Sequence, residues 1–167
     1  LMPWLTGTAF LHSVMIQEKR NMLRIWNVVL IIITYGLTIL GTFLTRSGVI
    51  NSVHSFTQSE IGPMFLIYLS LVLIIGFALL FKRIQMLESE YKIESVLCRE
   101  NVFLAQNVLL VGIAFTVLLG TTFPLLSEAV RGAKLSIQAP FFNTITAPMG
   151  YALLLLMGVG MLISWRK

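Results

Sequence analysis

Charged residues divide the chain into long uncharged stretches. These run from Leu1 to Gln17, Ile25 to Thr45, Ile61 to Phe81, Asn101 to Ser127 and Leu135 to Trp165. Each is close to or above the roughly 20 apolar residues that one membrane-spanning helix needs. In the last stretch, Pro140, Asn143 and Pro148 favour a surface segment ahead of the helix. The pattern therefore predicts spans at about 1–17, 25–45, 61–81, 102–126 and 146–164.

Composition supports this interpretation. Hydrophobic residues make up 57% of the 167 positions and charged residues 11%, whereas soluble domains carry roughly 25% charged residues. So few charges cannot cover a water-facing surface, which excludes a soluble domain, a disordered chain and a coiled coil. We predict an all-α, polytopic membrane helix bundle of about five transmembrane helices, forming a single membrane-embedded region over 1–167.

The Lys and Arg residues predict the orientation. Nine of the 12 lie on one side of the predicted spans, which should be cytoplasmic because basic loops stay inside. They are Lys19, Arg20, Arg24, Lys82, Arg83, Lys92, Arg99, Arg166 and Lys167, against Arg46, Arg131 and Lys134 on the other side. Because they form no basic patch, orientation explains the net charge of +5 better than nucleic-acid binding does. The segment 83–100 mixes acids with bases and is predicted to be a solvated cytoplasmic helix or loop.

His12 lies inside the first predicted span. It precedes Lys19 by seven residues, which places it about 10 Å from the cytoplasmic boundary at about 1.5 Å per residue. An ionisable side chain at that depth is a functional candidate. Thr8 lies one turn earlier on the same face. Spacing alone leaves a second interpretation open, a neutral histidine that is hydrogen-bonded to a neighbouring helix.

The outer segment from Ser47 to Ser59 predicts a short helix lying on the membrane surface. Its apolar residues fall on one stripe, namely Val49, Ile50, Val53 and Phe56. His54 borders this stripe, and spacing alone favours an exposed loop histidine there. Because one whole span separates His12 from His54 and the hydrocarbon core is about 30 Å thick, the two cannot bind the same metal ion.

Arg46 stands at the outer edge of the second predicted span. Its guanidinium could hold a carboxylate or a lipid phosphate. Snorkelling to the lipid headgroups is the simpler explanation.

Several kinds of chemistry are missing from the sequence. Cys98 is the single cysteine, so the sequence provides no disulfide, CxxC pair or zinc cluster. No Asp or Glu lies within a predicted span, which argues against a proton pump or a cation transporter. Because the sequence has no phosphate-binding glycine loop, no Ser/His/Asp constellation and no HExxH motif, we assign no catalytic residue.

Five strings resemble one family in their order and spacing. They are PWLTGTAFLHS at 3–13, GTFLTRSGVINSVHSF at 41–56, CRENVFLAQNVLL at 98–110, GTTFPL at 120–125 and KLSIQAPFFN at 134–143. Together they resemble the CcmF/NrfE family of cytochrome c biogenesis membrane proteins over nearly the whole chain. The family's tryptophan-rich periplasmic segment normally precedes the first string and is not in this sequence. The resemblance therefore implies a central fragment of a longer protein.

The resemblance implies a component of a cytochrome c haem lyase. Such a protein takes haem from the periplasmic chaperone CcmE and ligates it to the CxxCH thiols of an apocytochrome c that a CcmH-type thiol-handling subunit delivers. The family uses four axial histidines, two in the membrane and two in the periplasm. By motif, His12 matches a transmembrane ligand of haem b, and His54 matches the second periplasmic ligand.

Further expectations follow from the same resemblance. Arg46 is a hypothetical contact for a haem propionate. The resemblance implies a multi-pass protein of the bacterial inner membrane, in contact with membrane lipid and with the His54 loop in the periplasm. A chain with one ligand for each haem is not expected to be active alone. Cys98 replaces the first residue of an SRE-like string, and no chemistry is assigned to it because it would face the cytoplasm.

Two other functions remain open at this level. The first is a transporter segment for haem or another small solute, in which His12 is a polar residue on the pathway. The second is a structural assembly subunit, in which neither histidine matters.

Overall fold

The computed structural model describes residues 1–46, 62–88, 98–133 and 135–163. These residues form five α-helices and one short 3-10 helix, without a strand among them. The helices are α1 (Met2–Arg20), α2 (Arg24–Arg46), α3 (Gly62–Lys82), α4 (Arg99–Arg131) and α5 (Ala139–Leu162), and the 3-10 helix is Ile84–Leu87. The predicted all-helical fold is confirmed for this part of the chain.

In the part of the chain that the structure describes, four helices are long and apolar enough to cross a membrane, namely α2, α3, α4 and α5. Each of them overlaps one of the predicted spans. The first predicted span is also helical, as α1, but α1 does not reach the same apolarity because threonine, glycine, histidine and serine interrupt it. Its crossing of the membrane stays a prediction.

The helices pack side by side in the order α5, α4, α1, α2, α3. The least apolar helix, α1, thus lies in the middle, and the edge helices α3 and α5 leave most of their side chains exposed. The buried core is formed by Leu5 and Ala9 of α1, Leu30 of α2, and Leu110 and Ala114 of α4. Because lipid is as apolar as leucine, such a bundle relies on close packing and hydrogen bonds between helices.

Tight turns allow neighbouring helices to run antiparallel. Asn21 ends α1 in the left-handed region at φ 55°, and its amide donates to the Gln17 carbonyl at 2.8 Å. Asparagine tolerates this conformation better than most residues. Gly132 ends α4 in the same way at φ 68°, with its amide donating to the Glu128 carbonyl at 2.9 Å.

Both α4 and α5 begin earlier than the sequence predicted. The helix α5 starts at Ala139 and not near residue 146, because Pro140 lies in the first turn, where its missing N–H has no intrahelical partner to lose. The helix α4 starts at Arg99, and Cys98 and Glu100 are buried. The prediction of a solvated segment was therefore wrong for residues 98–100, and residues 89–97 lie outside the described part.

Candidate functional site

His12 faces the first turns of α4. Two contacts fix this register: Arg20 Nε donates to Glu100 Oε1 at 2.9 Å, and the ring centroids of His12 and Phe103 lie 5.4 Å apart. The helices α1 and α4 are therefore antiparallel. His12 lies on the side of α1 that borders α4 and faces α5.

A cavity of about 270 Å³ opens where α1, α4 and α5 meet. Its polar lining consists of His12 from α1 with Arg99 and Gln106 from α4. The remaining walls are apolar and come from Val102 and Phe103 of α4 and from Met157, Gly160 and Met161 of α5. The site is thus one imidazole in a mostly apolar pocket, with a guanidinium at one end.

Gly160 permits the close approach of α5 to α4 at this cavity. A Cβ built at Gly160 would lie 3.0 Å from Val102 Cγ1 and 3.8 Å from Gln106 Nε2. A side chain there would therefore separate the two helices or enter the pocket. Small residues of this kind allow helices to pack closely in a membrane.

The His12 ring has an unused polar atom. Its Nδ1 is buried and has no hydrogen-bond partner among the described residues. This does not favour the alternative interpretation, in which His12 is a structural histidine that bonds to a neighbouring helix through this nitrogen. An axial imidazole ligand in an apolar pocket is typical of haem proteins, in which the macrocycle supplies the other ligands of iron.

The other predicted site residues lie elsewhere. Arg46 is the exposed last residue of α2. Because Thr34 of α2 donates to Thr6 of α1 at 2.8 Å, Arg46 and His12 are about 27 Å apart along the helix axes at about 1.5 Å per residue. They belong to different sites. His54 lies outside the described residues.

The described residues contain no group of three or more His, Cys, Asp or Glu side chains that could hold a metal ion. A zinc or calcium site of the usual kind would need three or more such ligands from the protein. A single imidazole suits haem iron better than either of these ions.

Sequence reasoning missed three residues of the site, namely Arg99, Phe103 and Gln106. Their spacing of i, i+4 and i+7 is that of one helix face. That signal was present in the sequence, but the predicted span began at residue 102 and left Arg99 in a solvated segment. A helix begun at Arg99 would have placed all three on one face.

The fold and the site define the class of this protein: a helical multi-span membrane protein with a histidine-containing pocket between its helices. Comparisons then relate it to particular proteins. No protein-family model matches the chain. It is 39% identical over 165 residues to the cytochrome c-type biogenesis protein CcmF of Pseudomonas fluorescens, covering 99% of this chain and 25% of that protein. It is 41% identical over 167 residues to the protein of the same name in Escherichia coli, covering 99% and 26%.

The same similarity extends to the NrfE branch and to a solved structure. The cytochrome c-type biogenesis protein NrfE of Haemophilus influenzae is 33% identical over 169 residues, which cover 100% of this chain and 26% of that protein. A structure of the cytochrome c heme lyase CcmF superposes with a TM-score of 0.73 at 37% identity, covering 99% of this chain and 23% of that one. The resemblance to the CcmF/NrfE family is confirmed, and the chain spans about a quarter of the length of these relatives.

Proposed function

We propose that this chain is part of a cytochrome c haem lyase, in which His12 is an axial ligand of a haem b held in the membrane. The observation that carries the proposal is the pocket of about 270 Å³ that places the His12 imidazole among apolar walls between α1, α4 and α5. The similarity to proteins of cytochrome c biogenesis and to a heme lyase supports it. The resemblance implies that a second histidine would help to hold this haem, and the other histidine of this sequence, His54, is assigned to a different site in this proposal.

The residues of the pocket have distinct roles in this proposal. His12 supplies the ligand nitrogen, and the identity of that ligand contributes to the redox potential of the iron. The Phe103 ring, 5.4 Å from the His12 ring, limits the rotation of the imidazole. The side chains of Met157 and Met161, which are exposed on the surface of α5, add apolar wall beside the ligand. When bound, haem supplies the electron-transfer chemistry, while the protein supplies orientation and electrostatics.

The attachment of haem to apocytochrome c belongs to a second site, on the periplasmic side of the membrane. We propose that His54 holds the haem that the chaperone CcmE delivers in the periplasm, and that the thiols of apocytochrome c, brought by a CcmH-type subunit, are joined to it there. The separation of His12 from the outer end of α2 supports two sites and not one, because Arg46 already lies about 27 Å from His12 along the helix axes. In this proposal the membrane is the bacterial inner membrane. The end of the bundle at which Arg20 of α1 contacts Glu100 of α4 lies near its cytoplasmic face.

The test is the optical spectrum of the full-length protein purified in detergent. His12→Ala should reduce the haem b absorption at least tenfold, whereas His54→Ala should retain it and lose only the haem delivered by the chaperone. His12→Gly with added imidazole should recover the absorption, because free imidazole replaces the missing ligand. This rescue separates loss of a ligand from loss of the fold.

Thr8→Ala is the matched control on the same helix, since the Thr8 hydroxyl donates to the Trp4 carbonyl at 2.8 Å within α1. It should leave the spectrum unchanged. Full haem b absorption in His12→Ala would refute the assignment of His12. Solute flux into vesicles, with no covalent attachment of haem to cytochrome c, would refute the lyase in favour of a transporter.

A further inference from the structure

The pocket beside His12 has one charged end. Among the pocket residues, Arg99 carries a formal charge, His12 is the ligand candidate and Gln106 is a neutral amide. Arg99 and Gln106 stand about 10 Å apart along α4, at about 1.5 Å per residue. A flat ligand with both apolar and anionic parts would therefore place its anionic part towards Arg99.

Arg99 is held at this end of the pocket by its own helix. Its guanidinium carbon lies 5.9 Å from the centroid of the Phe103 ring, one turn further along α4, and that ring contacts His12. The three side chains thus form a continuous column from the end of α4 to the candidate ligand. Glu100, the adjacent acid, directs Oε1 away to Arg20 at 2.9 Å. The acidic neighbour is thus engaged across the α1–α4 interface.

We infer that Arg99 binds a propionate carboxylate of the haem at His12 and so determines which edge of the macrocycle faces the cytoplasmic end of the bundle. This inference rests on the proposed function, because it needs the haem at His12. A carboxylate buried among helices is costly without a cationic partner. Arginine suits the task because its planar fork offers five N–H donors and pairs bidentately with a carboxylate. This propionate contact differs from the one suggested for Arg46. Arg46 is the last residue of α2 and lies at the other end of the bundle from Arg99.

The experiment compares Arg99→Gln, Arg99→Lys and wild type in the full-length protein in detergent. The control is Arg83→Gln, an exposed arginine at the same end of the bundle and outside the pocket. The first readout is the rate at which haem is lost to an excess of an apo-haem protein. A hydrogen bond to a charged group contributes roughly 1.5–3 kcal/mol, so Arg99→Gln should lose haem about tenfold faster or more. Arg99→Lys should fall between it and wild type, and Arg83→Gln should match wild type.

Two further readouts do not depend on activity. The midpoint potential of the haem should fall in Arg99→Gln, because removing a nearby positive charge favours the oxidised iron. Haem dimethyl ester, which lacks free carboxylates, should be lost equally fast from wild type and Arg99→Gln. The ester also tests the inference in the unaltered protein, since wild type should release it about tenfold faster than haem.

The possible results separate this inference from the proposed function. If His12→Ala loses the haem but Arg99→Gln behaves as wild type, the inference is wrong and the His12 site stands. If the difference between wild type and Arg99→Gln persists with the dimethyl ester, Arg99 acts on the protein structure and not on a carboxylate. If His12→Ala retains haem, the proposed function fails and this inference fails with it.

Discussion

The pairing of Arg20 with Glu100 shows how burial decides the cost of losing a charge. Glu100 is 7% exposed, whereas the Arg20 side chain keeps 32% of its surface. The carboxylate therefore depends on its partner more than the guanidinium does. A buried charge without a partner is strongly destabilising, while an exposed one is hydrated at little cost.

We predict that Arg20→Gln destabilises the bundle more than Glu100→Gln does. The first change leaves the buried carboxylate without its α1 partner and should cost about 3 kcal/mol. The second removes the buried charge and leaves a partly exposed arginine, at a cost of about 1 kcal/mol. The measurement is the thermal unfolding of the full-length protein in detergent, and Glu18→Gln, an exposed acid of α1, is the control. Equal losses for both variants would show that the asymmetry of burial does not govern the pair.

Residues such as Asn107 mark a limit of sequence reasoning. Asn107 has no exposed surface, and neither polar atom of its side chain has a hydrogen-bond partner among the described residues. The sequence predicted the span that contains it but did not indicate that this amide would be buried. Trp26 is similar, because it packs against the core with its Nε1 buried and without a hydrogen-bond partner among the described residues. The local sequence does not indicate which neighbouring helix will bury a given side chain.

At the scale of the helices, the positions of the charged residues predicted where helices occur. They did not predict as well which face of each helix packs against a neighbour. Each uncharged stretch with described residues contains a helix, because lipid leaves the backbone no other partner for its polar groups. Faces were not predictable in the same way. In α3, apolar residues surround the helix on all sides, so the pattern does not indicate which side meets α2. Helix starts near prolines were also misplaced, since Pro140 both breaks a helix and suits its first turn.

The packing of α4 against α5 gives a prediction at this scale. A Cβ at Gly120 would overlap the ring of Phe142. Gly120→Ala should therefore cost about 1–3 kcal/mol of stability, which is typical of overpacking. Gly158→Ala on α5 is the matched control, because a Cβ there meets nothing within 4 Å, and it should be neutral. Thermal unfolding of the full-length protein measures both.

A second variant confirms the cause of the effect. Adding Phe142→Leu to Gly120→Ala should recover part of the lost stability, because the smaller side chain leaves room for the new methyl group. If the double variant is no more stable than Gly120→Ala alone, the ring of Phe142 is not what opposes a side chain at Gly120.

In the whole molecule, the order of the helices places the polar helix α1 in the middle and apolar, exposed helices at the edges. The polar helix α1 is flanked by α2 and α4, and the exposed helices α3 and α5 lie outermost. The helices α2 and α4 cover two sides of α1, and His12 lies partly buried within the bundle. The pocket of His12 then lies at the border between the shielded centre and the edge helix α5. The same arrangement places Arg20, Arg24, Lys82 and Arg99 at one end of the bundle and Arg46 and Arg131 at the other.

This distribution of basic residues predicts the topology in the membrane. Positively charged ends stay in the cytoplasm, so the end that carries Arg20 and Arg99 should be cytoplasmic and the end that carries Arg131 periplasmic. Gln85 and Ser136 are exposed reporters of the two ends. In a protein whose cysteines, Cys98 included, are replaced by serine, Ser136→Cys should react with a membrane-impermeant maleimide in cells with a permeabilised outer membrane. Gln85→Cys should react only after the inner membrane is broken. The reverse pattern would invert the bundle, place the His12 pocket near the periplasmic face, and contradict the proposal that His54 holds a haem in the periplasm.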